Sequence, residues 1–392
     1  MAEIRNQQAS MAYRRFGRTE RHLSVITLGG MRYPHGWEKP RDELPAAMID
    51  TCRDSVQRAF SFGINHIETA FGYGKSEHCY GQVLNQELAV PRQSYHLMTK
   101  GAAFTADEMR RMVEKQLSAL QTDHIDLYAW HGINTRDRLD AALAKGGPVD
   151  ALHALRDEGV IGEVGFSTHA PLDVILDAIH SDRFSFLNLH YYYFYQTTWS
   201  AIELAASKDM GVFIISPNDK GGRLYDPPTL LREITAPLSP IQWNARFCLA
   251  TPKVHTLSFG MNHKAHFEEM HGVLPLPLAW SGVERDIEAR LDARLDMDAY
   301  ARISVPLELA QHGSGINIPE ALRLRRLWKC YDMVGYGKFR YRCFGREGHW
   351  YPGEPCDEAG LAQVEDDLLP GVPLKALLRE LHEALGAKKP AS

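Results

Sequence analysis

Apolar residues along this sequence follow two alternating patterns. From Tyr13 onward, short apolar runs that end in polar or glycine-containing turns alternate with longer stretches in which apolar residues recur at a helical period. This alternation is typical of repeated strand–helix units, in which helices connect parallel strands. Eight segments have the strand pattern: VITLGG, NHIETA, YHLMTK, IDLYAWH, GEVGFST, FLNLHYY, GVFIISP and HTLSFGM.

Helical stretches long enough to cross back over a sheet lie between these segments. The clearest are 45–62, 106–120, 148–158 and 172–180. Eight parallel strands with intervening helices close most economically into a barrel, because closure removes both edges of the sheet. The sequence therefore predicts an α/β fold, a (β/α)8 TIM barrel. A doubly wound open sheet is the alternative, but no G-x-G-x-x-G motif follows the first strand, where such a sheet binds a dinucleotide.

The pattern changes near Met270. The prolines of HGVLPLPLAW are typical of a linker, and the residues after about Gly282 predict helices, most clearly VERDIEARLDARL and PEALRLRRLW. We therefore expect a flexible N-terminus at 1–12, a barrel at 13–275 and a C-terminal helical extension at 276–392. The basic stretch 323–329 has leucines between its charges, which favours the solvent-exposed side of a helix.

Composition argues against several classes of protein. The 392 residues carry a formal charge of only -5, with 44% hydrophobic and 24% charged residues and no basic stripe, so nucleic-acid binding is not expected. No apolar segment approaches the length needed to span a bilayer, and MAEIRNQQAS has no signal-peptide core, so we expect no membrane association and a cytoplasmic protein. The six cysteines are too widely spaced for a disulfide framework and are expected to be free thiols.

Polar side chains occur at the carboxyl ends of the second, third and fourth predicted strands. Glu68 ends the second strand, which runs on to Tyr73, while Lys100 ends the third strand and His131 the fourth. Reacting groups of a TIM barrel lie at these strand ends, so we expect the four side chains around one end of the barrel. Such a set suits carbonyl reduction, because hydride addition to carbon leaves negative charge on oxygen, which needs a proton donor and a stabilising environment.

The four side chains can take different roles in this reaction. Tyr73 is the candidate general acid, with its pKa lowered by the Lys100 cation, and Glu68 would anchor Lys100. His131 would orient the carbonyl oxygen or pass a proton, depending on its tautomer, and a nicotinamide cofactor would supply the hydride. Alone, each residue is better explained as part of an ion pair or as a buried histidine. Their occurrence at consecutive strand ends favours catalysis.

At these residues the sequence resembles the aldo/keto reductase family. YRRFGRTERHLSVITLGG is similar to the family's first hairpin and strand, IETAFGYGKSE is similar to its Asp-Thr-Ala, Tyr-Gly, Ser-Glu signature, and the similarity covers about 13–270. The resemblance places the catalytic tyrosine, lysine and histidine at Tyr73, Lys100 and His131, and the usual aspartate at Glu68, which adds a methylene. The implied activity is NAD(P)H-dependent reduction of an aldehyde or ketone, with a small-molecule carbonyl as substrate.

The resemblance also implies a cofactor site. Ser167 and Thr168 would hold the carboxamide, with Thr168 in place of an asparagine, while Asn188 replaces a glutamine and Ile215 an aromatic ring that stacks on the nicotinamide. The expected cofactor-binding set is Gly30, Met31, Ser167, Thr168, Asn188, Ser216, Asn218, Gly260, Asn262, Lys264 and Glu269. Lys264 offers a point charge where selection of a 2'-phosphate normally uses an arginine, so NADP is expected, with NAD as the alternative.

The C-terminal extension resembles that of a bacterial subgroup that sometimes carries a four-cysteine iron–sulfur motif. That motif is absent from this sequence, because Cys330, Cys343 and Cys356 are each about a dozen residues apart, so no cluster is expected. Nearby histidines such as His349 have no better spacing for a metal. Two other functions stay open: a cofactor-binding regulatory subunit with slow turnover, and a barrel whose extension docks a partner protein.

Overall fold

The structure is a computed structural model that describes residues 3–36, 38, 40–276, 280–346 and 352–386. An antiparallel hairpin of β1 (Tyr13–Arg15) and β2 (His22–Ser24) comes first. Eight parallel strands then form a closed barrel: β3 (Ile26–Gly29), β4 (His66–Glu68), β5 (His96–Gly101), β6 (Ile125–His131), β7 (Ile161–Ser167), β8 (Phe186–Leu189), β9 (Gly211–Ile214) and β10 (Thr256–Phe259). Each predicted strand segment overlaps one of them, which confirms the TIM barrel and excludes the open sheet.

Helices follow the barrel strands, as the periodicity predicts. They are α1 (Ala46–Ser61), α2 (Ser76–Gln82), α3 (Ala106–Leu120), α4 (Arg136–Leu143), α5 (Pro148–Asp157), α6 (Leu172–His180), α7 (Trp199–Ser207), α8 (Thr229–Thr235), α9 (Pro240–Leu249) and α10 (Lys264–His271). The start of α3 shows how the sequence determines a boundary: Thr105 and Glu108 form a reciprocal capping box that satisfies two otherwise unpaired main-chain donors.

The hairpin lies at the amino-terminal ends of the barrel strands. Phe16 and Leu23 are fully buried in one apolar cluster with interior residues such as Phe213. Gly211, the first residue of β9, lies directly against Phe16, because a Cβ at that position would come within 2.7 Å of its ring. The polar strand ends singled out above therefore lie at the opposite end of the barrel, which we call the barrel mouth.

Residues near the N-terminus contact the barrel. Arg5 Nη1 donates to Asp126 Oδ1 at 2.8 Å, and Arg92 Nη2 donates to Asp126 Oδ2 at 2.6 Å. Leu97 N donates to the same Oδ2 at 2.9 Å, so this carboxylate joins the N-terminal segment to the start of β5. The flexibility expected at 1–12 is not tested by these contacts and stays a prediction.

The chain divides into two compact units. One comprises Met1–Gly221 and Ile241–Ala279, and it contains the barrel; the other comprises Gly222–Pro240 and Trp280–Ser392. In its described part the second unit is helical, with α8, α11 (Gly282–Leu295), α12 (Ile318–Tyr331), α13 (Val334–Tyr341), α14 (Glu358–Leu361) and α15 (Leu374–Leu385). The segment Gly222–Pro240, which contains α8, thus groups with the C-terminal helices, and the expected domain bounds at 275 and 276 stay a prediction.

The prediction that 323–329 forms the exposed side of a helix is wrong for two of its arginines. Arg323 and Arg325 of α12 are only 7% and 5% exposed. Arg323 pairs with Glu320 one turn earlier, while Arg325 pairs with Asp298 at 2.9 Å and with Glu380 at 2.7 Å. Pairing offsets the cost of burying these two guanidinium groups, so Arg323 and Arg325 lie inside the helical unit, whereas Lys329 of the same stretch is exposed.

Two further findings concern the expectations for membrane association and for metal binding. None of the helices within the described ranges is both long enough and apolar enough to cross a bilayer. His349 lies outside the described residues.

Candidate active site

Three of the expected catalytic residues are in direct contact at the carboxyl ends of β4 and β5. Lys100 Nζ donates to Glu68 Oε1 and, at 2.9 Å, to the main-chain oxygen of Thr69. Tyr73 OH donates to the same Glu68 Oε1 at 3.2 Å. One carboxylate oxygen therefore receives both the ammonium and the phenol hydroxyl.

The turn after β4 brings Tyr73 back over the strand ends. Phe71 N donates to the main-chain oxygen of Lys100 at 2.8 Å, which extends the pairing of β4 with β5. Tyr73 N then donates to the main-chain oxygen of Ala70 at 2.9 Å and closes the turn. Gly74 follows with a φ of 58°, a left-handed conformation that favours glycine. The chain thus reverses at Tyr73, and its hydroxyl reaches the carboxylate.

His131, the last residue of β6, lies beside Tyr73. The two ring centroids are 6.0 Å apart, with an interplanar angle of 85°. Lys100 Nζ lies 4.7 Å from the centroid of the Tyr73 ring. The structure therefore brings all four expected catalytic residues to the barrel mouth, while their roles stay predictions.

The pKa of Tyr73 lies in the opposite direction to the one expected from the sequence. Burial of the hydroxyl raises the pKa of Tyr73 above its ordinary value, whereas we expected Lys100 to lower it. The physical reason is that burial penalises the charged phenolate, while the Lys100 ammonium is engaged with Glu68.

The other two titratable partners are also shifted by burial. Burial lowers the pKa of the Lys100 ammonium well below its ordinary value, while the adjacent Glu68 carboxylate favours the charged form. Burial lowers the pKa of His131 to about 3, and the positive charges of Lys100, Arg138 and Lys220 act in the same direction. His131 is therefore a neutral imidazole at neutral pH.

A residue that the sequence did not single out completes the contacts of the carboxylate. Ser258 of β10 donates to Glu68 Oε2 at 3.0 Å, so the two carboxylate oxygens have different partners. Gly29 of β3 lies next to both groups. The available signal was the alternation along HTLSFGM, which points Thr256 and Ser258 to the same side of the sheet.

Two of the expected cofactor-binding residues lie at the ends of β7 and β8. Asn188 is fully buried, and its Oδ1 has no hydrogen-bond partner among the described residues. Its Nδ2 contacts the sulfur of Met98 at 3.8 Å. Ser167 Oγ accepts from Gly132 N at 3.0 Å. Asn188 therefore presents an unused acceptor, which buried polar groups rarely do without a ligand or water.

Thr168 and Ile215 directly follow β7 and β9. Thr168 Oγ1 donates to the main-chain oxygen of Ile133 at 2.6 Å and accepts from Ala170 N at 3.0 Å. Its hydroxyl thus connects the loop after β7 to Ile133, which follows β6. Ile215 is 8% exposed and belongs to the apolar cluster of the barrel interior.

Two expected cofactor-binding positions, Ser216 and Asn218, follow β9. Ser216 has a φ of 52°, and its main-chain oxygen accepts from Lys220 N at 3.0 Å, so the chain turns sharply there. Asn218 Oδ1 is a second buried acceptor with no partner among the described residues.

Three more expected cofactor-binding positions follow β10. Gly260 lies against Arg32, because a Cβ on it would come within 2.5 Å of that side chain, and Asn262 Nδ2 donates to the main-chain oxygen of Arg32 at 2.7 Å. Lys264 pairs with Glu268 at 3.2 Å, and both side chains are exposed.

Three expected cofactor residues remain to be placed. Gly30 lies against Ser76, because a Cβ on it would come within 2.3 Å of the Ser76 hydroxyl, and Met31 is 53% exposed. The main-chain oxygen of Glu269 accepts from Gln242 Nε2 at 3.2 Å. Contact of these residues with a cofactor stays a prediction.

Cysteines and other metal-binding side chains are not gathered in the part of the chain that the structure describes. No group of three or more His, Cys, Asp and Glu residues there could hold a metal ion. The six cysteines are free and buried.

Comparison with known proteins decides the family. The Aldo/keto reductase family profile matches residues 25–225, slightly more than half of the 392 residues. This chain belongs to the aldo/keto reductase family. The match covers β3 to β9 of the barrel and all four expected catalytic residues.

Among individual relatives, L-galactose dehydrogenase of Arabidopsis thaliana is 31% identical over 176 residues, which are 42% of this chain and 54% of the relative. D-arabinose 1-dehydrogenase of Saccharomyces cerevisiae is 30% identical over 161 residues, which are 39% of this chain and 45% of the relative. The chain thus spans about half the length of the curated relatives it matches.

A solved structure agrees in fold. The holo form of an aldo-keto reductase from Bacillus halodurans superposes with a TM-score of 0.59 and 21% identity, over 71% of this chain and 96% of that one. At this identity the likeness shows the fold of the barrel.

Proposed function

We propose that this chain is an oxidoreductase that moves a hydride between a nicotinamide cofactor and the carbonyl carbon of a small molecule. The observation that carries the proposal is the contact of both the Lys100 ammonium and the Tyr73 hydroxyl with Glu68 Oε1. It combines a proton donor with adjacent positive charge, which a carbonyl oxygen needs as it gains negative charge. Family membership and two dehydrogenase relatives support oxidoreduction.

Tyr73 is the proposed general acid. Its raised pKa keeps the hydroxyl protonated throughout the neutral range, so a proton is always available. A raised pKa also makes the phenol a weaker acid. Lys100 Nζ, 4.7 Å from the ring centroid, offsets this by stabilising negative charge as the proton leaves. Lys100 thus stabilises the phenolate that forms in the reaction more than it stabilises the resting phenol.

Glu68 keeps the lysine in place for this role. An ammonium that is only 1% exposed is costly to bury without a counter-charge, and Glu68 Oε1 supplies one. The main-chain oxygen of Thr69 accepts a second hydrogen bond at 2.9 Å, so the direction of the Lys100 side chain is also determined.

His131 is proposed to orient the carbonyl oxygen. With its pKa lowered to about 3, the imidazole is neutral at neutral pH and can donate one hydrogen bond from its protonated ring nitrogen. Because the imidazolium form is scarce at neutral pH, Tyr73 is favoured over His131 as the source of the proton.

The cofactor supplies the hydride when it is bound. Asn188 fits a nicotinamide, because its buried and unused Oδ1 can accept a hydrogen bond from the amide group of the carboxamide. Ser167 accepts from Gly132 N and retains its hydroxyl hydrogen as a donor. The Thr168 hydroxyl already has two main-chain partners, the oxygen of Ile133 and the N–H of Ala170, so Asn188 and Ser167 are the better candidates for this role.

NADP is the proposed cofactor and NAD the alternative. Lys264 would supply positive charge for a 2'-phosphate, but Glu268 lies 3.2 Å from it and partly neutralises that charge. We therefore expect a modest preference for NADPH, of about tenfold or less in affinity.

Turnover by matched variants tests the proposal. Wild type, Tyr73→Phe and Lys100→Met would be assayed with NADPH and NADH against a panel of aldehydes and ketones. L-Galactose and D-arabinose, which the names of the two relatives suggest, would be assayed in the oxidative direction. We expect Tyr73→Phe to lower kcat by at least about a hundredfold, because it removes the general acid and leaves the ring in place. Undiminished kcat in Tyr73→Phe would contradict the assignment.

A second candidate function is a cofactor-binding regulatory or partner-docking subunit with little turnover. It is favoured by the hydrogen bonds of the Thr168 hydroxyl to the main chain of Ile133 and Ala170 and by the packing of Ile215 in the apolar cluster, since both arrangements leave these residues less available to a nicotinamide. Cofactor binding without measurable turnover on the whole panel would support this function over the first.

A further inference from the structure

We propose that Ser258 is a positioning residue for Glu68, and that Glu68, Ser258 and Gly29 form a matched set that adapts the site to a glutamate. This inference rests on the proposed function, since it concerns how the carboxylate that anchors Lys100 is held. It explains how a side chain one methylene longer than aspartate can occupy this position.

The three residues share one layer of the barrel interior. In the layer below, Thr27 Oγ1 lies 2.8 Å from His66 Nδ1 and 2.7 Å from Thr256 Oγ1, so these side chains all point inward. Side chains alternate along a strand, and the residues two positions further along β3, β4 and β10 are Gly29, Glu68 and Ser258. These residues therefore form the next inward layer, at the barrel mouth.

The two oxygens of Glu68 are held from opposite sides. Oε1 receives Lys100 Nζ from β5 and Tyr73 OH at 3.2 Å from the turn after β4. Oε2 receives Ser258 Oγ at 3.0 Å from β10, the strand on the far side of β3. Terminal carboxylate torsions of glutamate are broad, so partners on both oxygens are needed to hold one orientation.

Gly29 provides the space for this arrangement. A Cβ at position 29 would lie 2.6 Å from Ser258 Oγ and 3.3 Å from Glu68 Oε2, so any other residue would displace one of them. Gly29 has no left-handed backbone conformation that would itself require glycine. The absence of a side chain is therefore explained by the two polar groups next to it.

The length of the side chain at position 68 explains why Glu68, Ser258 and Gly29 fit together. An aspartate at position 68 would withdraw the carboxylate by about 1.5 Å, the length of one carbon–carbon bond. It could then not keep contact with Lys100, Tyr73 and Ser258 together without movement of the strands. Glu68→Asp is therefore expected to lose contacts on at least one of the two oxygens.

The test compares Ser258→Ala with Ser258→Thr, which keeps the hydroxyl, and with Thr256→Val, which removes a hydroxyl from the same strand one layer lower. Circular dichroism checks the fold of each variant. We expect Ser258→Ala to lower kcat by about tenfold with little change in KM for the cofactor, because a charge-assisted hydrogen bond is lost. Ser258→Thr should recover most of kcat, and Thr256→Val should keep it.

A pH profile separates positioning from mere packing. The Ser258 hydroxyl favours the charged carboxylate, so its removal should move the acidic limb of the kcat profile to higher pH. A double-mutant cycle adds a second measure: Glu68→Asp should lower kcat by a smaller factor in the Ser258→Ala background than in wild type.

The outcomes distinguish this inference from the proposed function. The positioning role is overturned if Ser258→Ala matches Thr256→Val in kcat and in pH profile, and if Glu68→Asp lowers kcat by the same factor in the Ser258→Ala background as in wild type. This conclusion holds even when Tyr73→Phe is inactive. If Tyr73→Phe is as active as wild type, the proposed function itself fails, whatever Ser258→Ala does.

Discussion

His131 shows how burial changes the role of a single residue. From the sequence, it was open whether this histidine orients the carbonyl or passes a proton. Burial first, and then three nearby positive charges, lower its pKa to about 3, so that it stays neutral across the physiological range. The position of the residue could be predicted from IDLYAWH, but its protonation state depends on Lys100, Arg138 and Lys220, which only the fold brings near it.

The neutral state of His131 predicts the pH dependence of the reaction. Because the folded-state pKa lies far below 6.5, His131 gains a proton only in strong acid, and kcat should show no ionisation of this residue between pH 5 and 8. Steady-state kinetics of wild type and His131→Gln over that range would measure this. A limb near pH 6.5 in wild type that His131→Gln abolishes would contradict it.

At the scale of secondary-structure elements, a buried polar network connects α2, β5, α3 and β6. Glu77 Oε1 accepts from Thr99 Oγ1 at 2.6 Å and from Gln116 Nε2 at 2.5 Å. Gln116 Nε2 also lies 3.2 Å from the main-chain oxygen of Lys100, and Gln116 Oε1 accepts from Tyr128 OH at 2.6 Å. The Ser-Glu signature marks Glu77 in the sequence, but the helical period alone does not show that Gln116 of α3 faces it.

This network predicts a loss of stability as pH rises from about 4.5 to about 7. Burial raises the pKa of Glu77 to about 7, compared with 4.5 in the unfolded chain. Glu77 therefore loses its proton at a lower pH in the unfolded chain than in the folded protein. Its contribution to stability is fully present below about pH 4.5 and falls as pH rises toward 7. Glu77→Gln removes this titration, and its free energy of unfolding relative to wild type should rise by about 3 kcal/mol between pH 4.5 and 8.5.

Urea unfolding of wild type and Glu77→Gln at several pH values would measure this difference. Glu158→Gln, an exposed position on the outside of the barrel unit, is a suitable control. A constant difference between wild type and Glu77→Gln over the whole range would show that Glu77 does not titrate in this way.

For the whole molecule, local periodicity predicted the barrel because each strand and helix is patterned over a few residues. Contacts between residues far apart in sequence were not accessible in the same way. Ser258 contacts Glu68 across 190 positions, through the closure of β10 on β3. Arg325 is buried for a similar reason, since its partners Asp298 and Glu380 belong to other segments of the helical unit.

The four expected catalytic positions were predictable because each lies at a strand end in a motif that can be read locally. The cofactor-binding positions were less predictable from the sequence. Asn188 keeps an unused buried acceptor, as a ligand-binding residue would, whereas the Thr168 hydroxyl bonds to the main chain of Ile133 and Ala170. The sequence shows which residue stands at each position, but a hydroxyl's hydrogen-bond partner depends on the loop geometry.

The most direct test of the central claim is an equilibrium titration of the protein with NADPH and NADH, followed by quenching of tryptophan fluorescence. The oxidoreductase proposal predicts saturable binding in the micromolar range, tighter for NADPH. Asn188→Leu should weaken binding by about tenfold, because the acceptor proposed for the carboxamide is lost. No saturable binding of either cofactor at millimolar concentration would contradict the claim and assign the Tyr73–Lys100–Glu68 site to other chemistry.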